Sequence, residues 1–349
     1  MEIDINQRKT EHIKLCLEDQ VEGVNKTTGL EGISFIHNAL PEIDFNKIDL
    51  STLFLDKHVQ APFLVSSMTG GSDLAEKINM NLAIASEEKG WAIGLGSTRA
   101  LLESDAHKES FLIRKEAKTV PLIANLGAVQ FNYGYGVKEC QQIVDKTGAD
   151  SLVLHFNSLQ EVVQDGGDLN FENILPMVEK VCKQLEVPVG VKEVGFGIDG
   201  TVAKKFHDAG VSYIDVAGAG GTSWSQVEKL RSKDPLRQRA AEAFNSWGNP
   251  TKDCLVSVRK NLPETTLVAS GGMKTGLDAA KAITIGANVV GFARTLLQAA
   301  TESVDDVLQV MEQIEFELKM TMFGVGVDSI EGLRNTKRVS VMGRSLLED

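Results

Sequence analysis

Apolar residues in this chain gather in short, almost unbroken runs instead of alternating with polar ones. Eight runs stand out: "PFLVSS" (62–67), "WAIGLG" (91–96), "PLIANL" (121–126), "SLVLHF" (151–156), "PVGVKEV" (188–194), "YIDVAG" (213–218), "TLVASG" (266–271) and "NVVGFA" (288–293). Strands buried on both faces have this character. The stretches between them carry a helical period. Before Gly90, for example, Leu74, Ile78, Leu82 and Ala85 line one face, and Asp73 with Glu76 resembles a capping box. Four runs follow a glycine, in "SEEKGWAIGLGS", "DKTGADSLVLHF", "HDAGVSYIDVAG" and "ITIGANVVGFAR". Gly90, Gly148, Gly210 and Gly286 therefore stand where helices would end on a left-handed residue.

Strand starts roughly 20 to 50 residues apart, with helix between, make a repeating βα unit. Eight units are the number that closes a (β/α)8 TIM barrel, an α/β fold. The pattern predicts an N-terminal extension over 1–61 packed on a barrel over 62–320, then a tail over 321–349. A doubly wound sheet shared between two domains would need a linker, and no Pro/Ser/Gly-rich one occurs. One segment breaks the rhythm. Residues 224–264 are long, and "SKDPLRQRAAEAFNSWGNPT" predicts an excursion that covers a substrate.

Composition narrows the class of function. Apolar residues make up 42% and charged residues 24%, the make-up of a globular protein with a real core. A net charge of −12 argues against a nucleic-acid partner or an anionic membrane surface. An anionic ligand must therefore be held by a local cluster against the general field. Cys16, Cys140, Cys182 and Cys254 are scattered without a C-x-x-C pair, which fits buried thiols in a reducing cytoplasm. "MEIDINQRKTEH" lacks the apolar core of a signal peptide, and no apolar run is long enough to span a membrane.

In a barrel of this kind the chemistry lies at the C-terminal ends of the strands. Here those ends read "SSMTGG", "GLGSTRA", "NLGAVQ", "HFNSLQE", "KEVGFG", "GAGGTS", "SGGMKTG" and "ARTLL". The run "DVAGAGGTS" is not a dinucleotide fingerprint, because Ser223 stands where the third glycine would fall and the run follows the sixth strand. Any one such run is an ordinary tight turn. Together with "SGGMKTG" and Arg294 after the last two strands, it predicts a phosphate site spanning 222, 271–273 and 293–294. Lys192 ends a buried strand and is a core ion-pair residue, a Schiff-base lysine or a cation beside an electron-accepting ring. His155 and Asn157 share a strand face, with Gln160 and Glu161 following. Glu161 alone could simply complement a helix N-terminus. Arg8, Lys9 and His12 fall within one helical turn, as either a solvated face or an anion clamp.

Taken together, "RKTEH", "GLEGISFIHNALPEI", "SMTGG", "GST", "ANLG", "HFNSLQE", "KEVGFG", "GGTSW", "SWGNPT" and "ASGG" resemble the type 2 isopentenyl-diphosphate isomerases, flavoprotein relatives of the FMN-dependent 2-hydroxyacid oxidases. The resemblance runs over nearly the whole chain, and "KEVGFG" with the H-x-N-x-x-Q-E pattern at 155–161 is its most specific part. It implies FMN across the barrel mouth. Ser67, Met68, Thr69, Ser97 and Asn125 would contact the isoalloxazine, and Lys192 would face its N1 side. Thr222, Gly271, Gly272, Met273, Ala293 and Arg294 would receive the ribityl chain and phosphate. Arg8, Lys9, Arg99, His155 and Asn157 would bind a substrate diphosphate, Gln160 would stand beside the reacting carbons, and Glu161 would ligate Mg2+. The implied reaction interconverts isopentenyl and dimethylallyl diphosphate using reduced FMN, with NADPH as reductant, in a tetrameric or octameric homo-oligomer.

Other classes fit less well. The hydroxyacid oxidases place a His-x-x-Arg-type pair after the sixth strand, where this chain has "GAGGTSW". An IMP-dehydrogenase-like enzyme needs a cysteine at a strand end, and none lies there. A flavin-free Schiff-base barrel using Lys192 would be colourless. A non-catalytic flavin sensor would have no use for "NSLQE" or the Arg8–Lys9 pair.

Overall fold

Eight parallel strands close into a barrel in chain order: β1 (Phe63–Val65), β2 (Ala92–Gly94), β3 (Leu122–Gly127), β4 (Ser151–His155), β5 (Val189–Lys192), β6 (Tyr213–Asp215), β7 (Thr266–Ala269) and β8 (Val289–Phe292). Pairing of β8 with β1, Val290 opposite Phe63 and Phe292 opposite Val65, seals the ring. The computed structural model describes residues 5–17, 21–104, 106–341 and 344–345. Each predicted apolar run contains one barrel strand, because residues of both faces are buried, as β3 shows along its full length.

The predicted helix-ending glycines take positive φ: Gly90 +66°, Gly148 +63°, Gly210 +92° and Gly286 +117°. The helix Asp73–Lys89 differs from expectation at its start. Its cap is Ser72, whose hydroxyl accepts the Ala75 N–H at 3.2 Å, while Asp73 pairs with His107 at 2.8 Å. A serine cap one residue earlier leaves Asp73 in the first turn, where its charge still favours the helix dipole.

The narrow end of the barrel is plugged by a two-stranded hairpin, Thr52–Phe54 with Lys57–Val59. Phe54 packs edge-on against Tyr213, their rings 5.7 Å apart, and seals an apolar layer of Leu64, Ala92, Ile123, Val153, Val268 and Val289. Gly190 is required here, since a Cβ would stand 2.1 Å from Tyr213 Cζ. The N-terminal extension also supplies Ile33–Phe35, which pairs antiparallel with Val339–Val341 of the C-terminal tail. The helix Val304–Val325 runs across position 320 and packs on the barrel helices.

The 224–264 segment is only partly an excursion. Helices Trp224–Arg231 and Pro235–Glu242 lie over the mouth side, but Thr251–Asn261 packs on Gly200–Asp208 as an ordinary wall helix. No helix among the described residues is long and apolar enough to cross a membrane.

Candidate active site

The C-terminal ends of the strands and the helix Ile5–Leu17 enclose a cavity of about 570 Å³. Every residue put forward from the sequence lines it: Ser67, Met68 and Thr69 after β1, Ser97 and Arg99 after β2, Asn125 on β3, and His155, Asn157, Gln160 and Glu161 at the end of β4. Lys192 from β5, Thr222 after β6, Gly271 to Met273 after β7, and Ala293 with Arg294 after β8 complete the wall. Residues as far apart in sequence as Ser67 and Arg294 share the cavity because a closed barrel brings all its strand ends to one rim, and the helix Ile5–Leu17 adds Arg8 and Lys9 to it.

On the β6–β8 side the wall is bare backbone. Gly271 (φ +96°) and Gly272 (φ +75°) fold against the turn after β6, and a Cβ on Gly221 would stand 2.7 Å from the Gly272 amide nitrogen. Such packing leaves N–H groups and glycine surfaces for a ligand to approach closely. Six buried side-chain polar atoms among the described residues have no partner. Four of them belong to residues that line this cavity: Ser66 Oγ, Thr69 Oγ1, Asn157 Oδ1 and Arg294 Nη1. Buried polar groups are normally satisfied, so this concentration marks a place built for a polar ligand.

The floor is a charged network beneath that wall. Lys192, 8% exposed, donates to the Glu193 carbonyl at 2.5 Å and lies in register with Asp215 on β6. Burial lowers the Lys192 pKa, and the Asp215 and Glu193 charges oppose that shift. Asp215 accepts from Ser270 Oγ at 2.6 Å. Glu193 turns its own carboxylate into the following loop, where it accepts the N–H groups of Val194 (2.6 Å), Gly195 (2.7 Å), Phe196 (2.5 Å) and Gly197 (3.2 Å). The "KEVGFG" motif is thereby explained: the glutamate organises the loop and the lysine faces the cavity.

His155 bonds through Nδ1 to Asn125 Oδ1 at 2.9 Å, and the Asn125 amide is itself oriented by the Leu95 carbonyl at 3.1 Å. The network assigns the ring proton to Nδ1 and leaves Nε2 as an acceptor. Burial first, then the Lys192, Lys9 and Arg99 charges, push the His155 pKa down to about 3. The ring is neutral at physiological pH, so the charge an anion meets comes from other residues.

Those residues are Arg8, Lys9 and Arg99. Arg99 is held by Glu103 (3.2 Å) and Asp168 (3.0 Å). Arg8 and Lys9 have no carboxylate partner among the described residues, and the Lys9 pKa falls to about 7 through burial and the neighbouring Arg8 and Arg99 charges. The Glu228 and Glu161 charges offset part of the repulsion at Arg8, and an anion in the cavity would offset more. Below it, Asn157 Nδ2 donates to Glu161 at 2.7 Å, and Asp168 N–H donates to the same carboxylate at 2.8 Å. Burial raises the Glu161 pKa.

Sequence reading missed Glu228. It is 1% exposed and binds His12 Nε2 (2.9 Å), Gln160 Nε2 (3.0 Å) and Arg231 Nη1 (2.6 Å), tying the N-terminal helix to the β4 motif. Gln160 is aimed by this carboxylate. Trp224, edge-on to His12 at 5.1 Å, closes the same corner. Both lie in the excursion after β6; Trp224 closes the family-like "GGTSW" run, but nothing local to Glu228 marks it.

The sequence profile of the FMN-dependent dehydrogenase family matches residues 141–339. Among solved structures, the chain resembles a flavocytochrome b2 variant with bound pyruvate (TM-score 0.69, 19% identity, 96% of this chain and 82% of that one). It also resembles a mandelate oxidase variant with an FMN adduct (TM-score 0.63, 17% identity, 95% and 91%). Identities this low establish the fold alone. Sequence relatives go further: isopentenyl-diphosphate delta-isomerase of Oceanobacillus iheyensis is 74% identical over the full length of both chains. The enzymes of the same name from Rickettsia bellii and Nostoc are each 46% identical, over 95% and 94% of this chain and 96% and 94% of theirs. On a barrel of the FMN-dependent dehydrogenase type, this chain belongs to the isopentenyl-diphosphate delta-isomerase family and is an isomerase.

Proposed function

We propose that this isomerase interconverts isopentenyl and dimethylallyl diphosphate by a 1,3-allylic proton shift. It would use reduced FMN, NADPH as the reductant, and Mg2+ carried with the diphosphate. The observation that carries the reading is one cavity with two kinds of lining: Arg8 and Lys9, which have no salt-bridge carboxylate among the described residues, and a glycine cradle beside Arg294, with unsatisfied polar atoms on Ser66, Thr69 and Arg294. Two phosphorylated groups, one on each side, satisfy both.

The residues present fit FMN. A phosphate and ribityl chain would take the orphan Arg294 nitrogen, Thr222 and the Gly271–Met273 turn, with Ala293 opening the last helix. Ser67, Met68, Thr69, Ser97 and Asn125 would border the ring, with Lys192 on its N1 side. The donor set also fits Mg2+ as a shared ion. No group of three acidic, histidine or cysteine side chains gathers for a metal among the described residues. Glu161 and the orphan Asn157 oxygen would therefore supply only part of the shell, diphosphate oxygens and water the rest.

Bound reduced FMN supplies the acid–base chemistry at the allylic carbons. The chain's own residues prepare for it. Arg8, Lys9 and Arg99 fix the diphosphate and so orient the hydrocarbon end towards the floor. Lys192 would place positive charge at the N1 side of the ring, where negative charge would be stabilised. Gln160, clamped by Glu228, borders the reacting carbons as a neutral amide and therefore does not compete for the proton. Trp224 and the helix Ile5–Leu17 limit water access, which a carbocation-like transition state requires. We propose a homo-oligomer, a tetramer or octamer, in which the exposed Phe316 and Met320 of one helix face are covered.

The test is a visible spectrum of the purified protein, then an anaerobic assay with NADPH, Mg2+ and isopentenyl diphosphate. A yellow protein that forms dimethylallyl diphosphate only after reduction is expected. A colourless protein that takes up no flavin overturns the reading.

A further inference from the structure

Glu22 is an acid at a site that otherwise collects positive charge. It lies on the segment that crosses from the N-terminal helix back to the barrel, and it lines the cavity beside Arg294. Arg294 Nη2 bonds Glu22 Oε1 at 2.7 Å, and Lys274 Nζ lies 3.2 Å from the same oxygen. The second terminal nitrogen of Arg294, Nη1, is buried and has no partner among the described residues. The segment is also zipped to the β6 turn: Ser223 N–H donates to the Val21 carbonyl at 2.8 Å, and Glu22 bridges antiparallel to Thr222.

Resting on the FMN reading above, we propose that Glu22 is a positioning residue for the cofactor phosphate. It holds one edge of the Arg294 guanidinium so that the other is presented to the phosphate. A free arginine side chain would lose rotamer freedom on docking its planar fork. A carboxylate that has already fixed that plane removes the cost and leaves the unengaged Nη1 for the phosphate. Because Glu22 sits on the same crossing segment as the Thr222 bridge, the phosphate site is complete only when that segment is seated.

The experiment compares the dissociation constants of FMN and riboflavin, which differ only by the phosphate, for deflavinated full-length protein by quenching of flavin fluorescence. Wild type is expected to prefer FMN strongly. Glu22→Ala should cut that preference roughly tenfold or more while leaving riboflavin affinity nearly unchanged, the scale of one charge-assisted contact. Equal weakening of both flavins would reduce Glu22 to a packing role and overturn the proposal. Tighter FMN binding relative to riboflavin would show repulsion instead, and overturn it equally. If Glu22→Ala fails to fold, as judged by circular dichroism and thermal midpoint, Glu22→Gln is measured in its place. It keeps the acceptor oxygen without the charge, and an unchanged preference there refutes the charge-based holding. Wild type that binds flavin without preferring FMN would overturn the phosphate site itself, and this proposal with it.

Discussion

Lys9 offers a quantitative test of the anion site. Its pKa falls from 10.5 to about 7, first through burial and then through Arg8 and Arg99. At its fullest such a depression is worth roughly 5 kcal/mol, less whatever solvent screens at its partly exposed side chain. The sign follows from proton counting. Below about pH 7 Lys9 is charged in folded and unfolded chains alike, and the full penalty on folding is present. Between 7 and 10.5 the unfolded chain binds the proton and the folded one does not, so this group makes stability rise with pH. A bound diphosphate reverses the balance by favouring the ammonium. About half the free molecules carry the proton at pH 7 and about one in a hundred at pH 9, so affinity should fall towards a ceiling of ~50-fold between pH 7 and 9. The diphosphate itself is fully ionised over that range and contributes little. The assay is calorimetry of isopentenyl diphosphate binding to flavin- and Mg2+-loaded protein, in buffers of different ionisation enthalpy, to count the proton taken up. Lys9→Met should bind about 10- to 100-fold more weakly at pH 7, show no such pH dependence, and raise the melting temperature of the unliganded protein. A wild-type affinity that is flat from pH 7 to 9, or a decline that persists in Lys9→Met, would refute the argument.

Three further outcomes are expected. Gln160→Ala should keep its flavin spectrum but lose most turnover, and unchanged turnover in the isomerase assay would remove its assigned role. Glu161→Ala should weaken the Mg2+ requirement and diphosphate affinity together; a change in melting temperature alone would leave Glu161 as a helix-end residue that orders Asn157 and Asp168. Phe54→Ala empties the plug against Tyr213 and should cost about 3–5 kcal/mol in denaturant unfolding with flavin affinity preserved, since the plug lies at the opposite end from the mouth.

The barrel could be read from the chain because its strands are buried on both faces, which writes them as continuous apolar runs, and because left-handed glycines punctuate the helices before them. The rim residues were legible for a related reason: "HFNSLQE" and "KEVGFG" put polar groups directly after buried strands, where only function or local bonding explains them. Interactions across the whole fold were not legible. Glu228 reaches Gln160 from 68 positions away, and Glu22 reaches Arg294 from 272 away, so no local pattern links either pair. The plug hairpin escaped notice because its turn is Leu55–Asp56, both at positive φ (+51° and +59°), with no glycine to announce it. Its strands are three residues long, too short for alternation to register.

The pairing of Ile33–Phe35 with Val339–Val341 has a consequence for how the protein is made. On the ribosome the first strand emerges about 300 residues before its partner, an interval of ~15–60 s at ordinary elongation rates. Throughout that time the edge of Ile33–Phe35 is an open template for pairing with a neighbouring nascent chain. Arrival of Val339–Val341 closes it, so a late segment clasps an early one, and deletion of Val339–Val341 should yield aggregates in place of a slightly shortened enzyme.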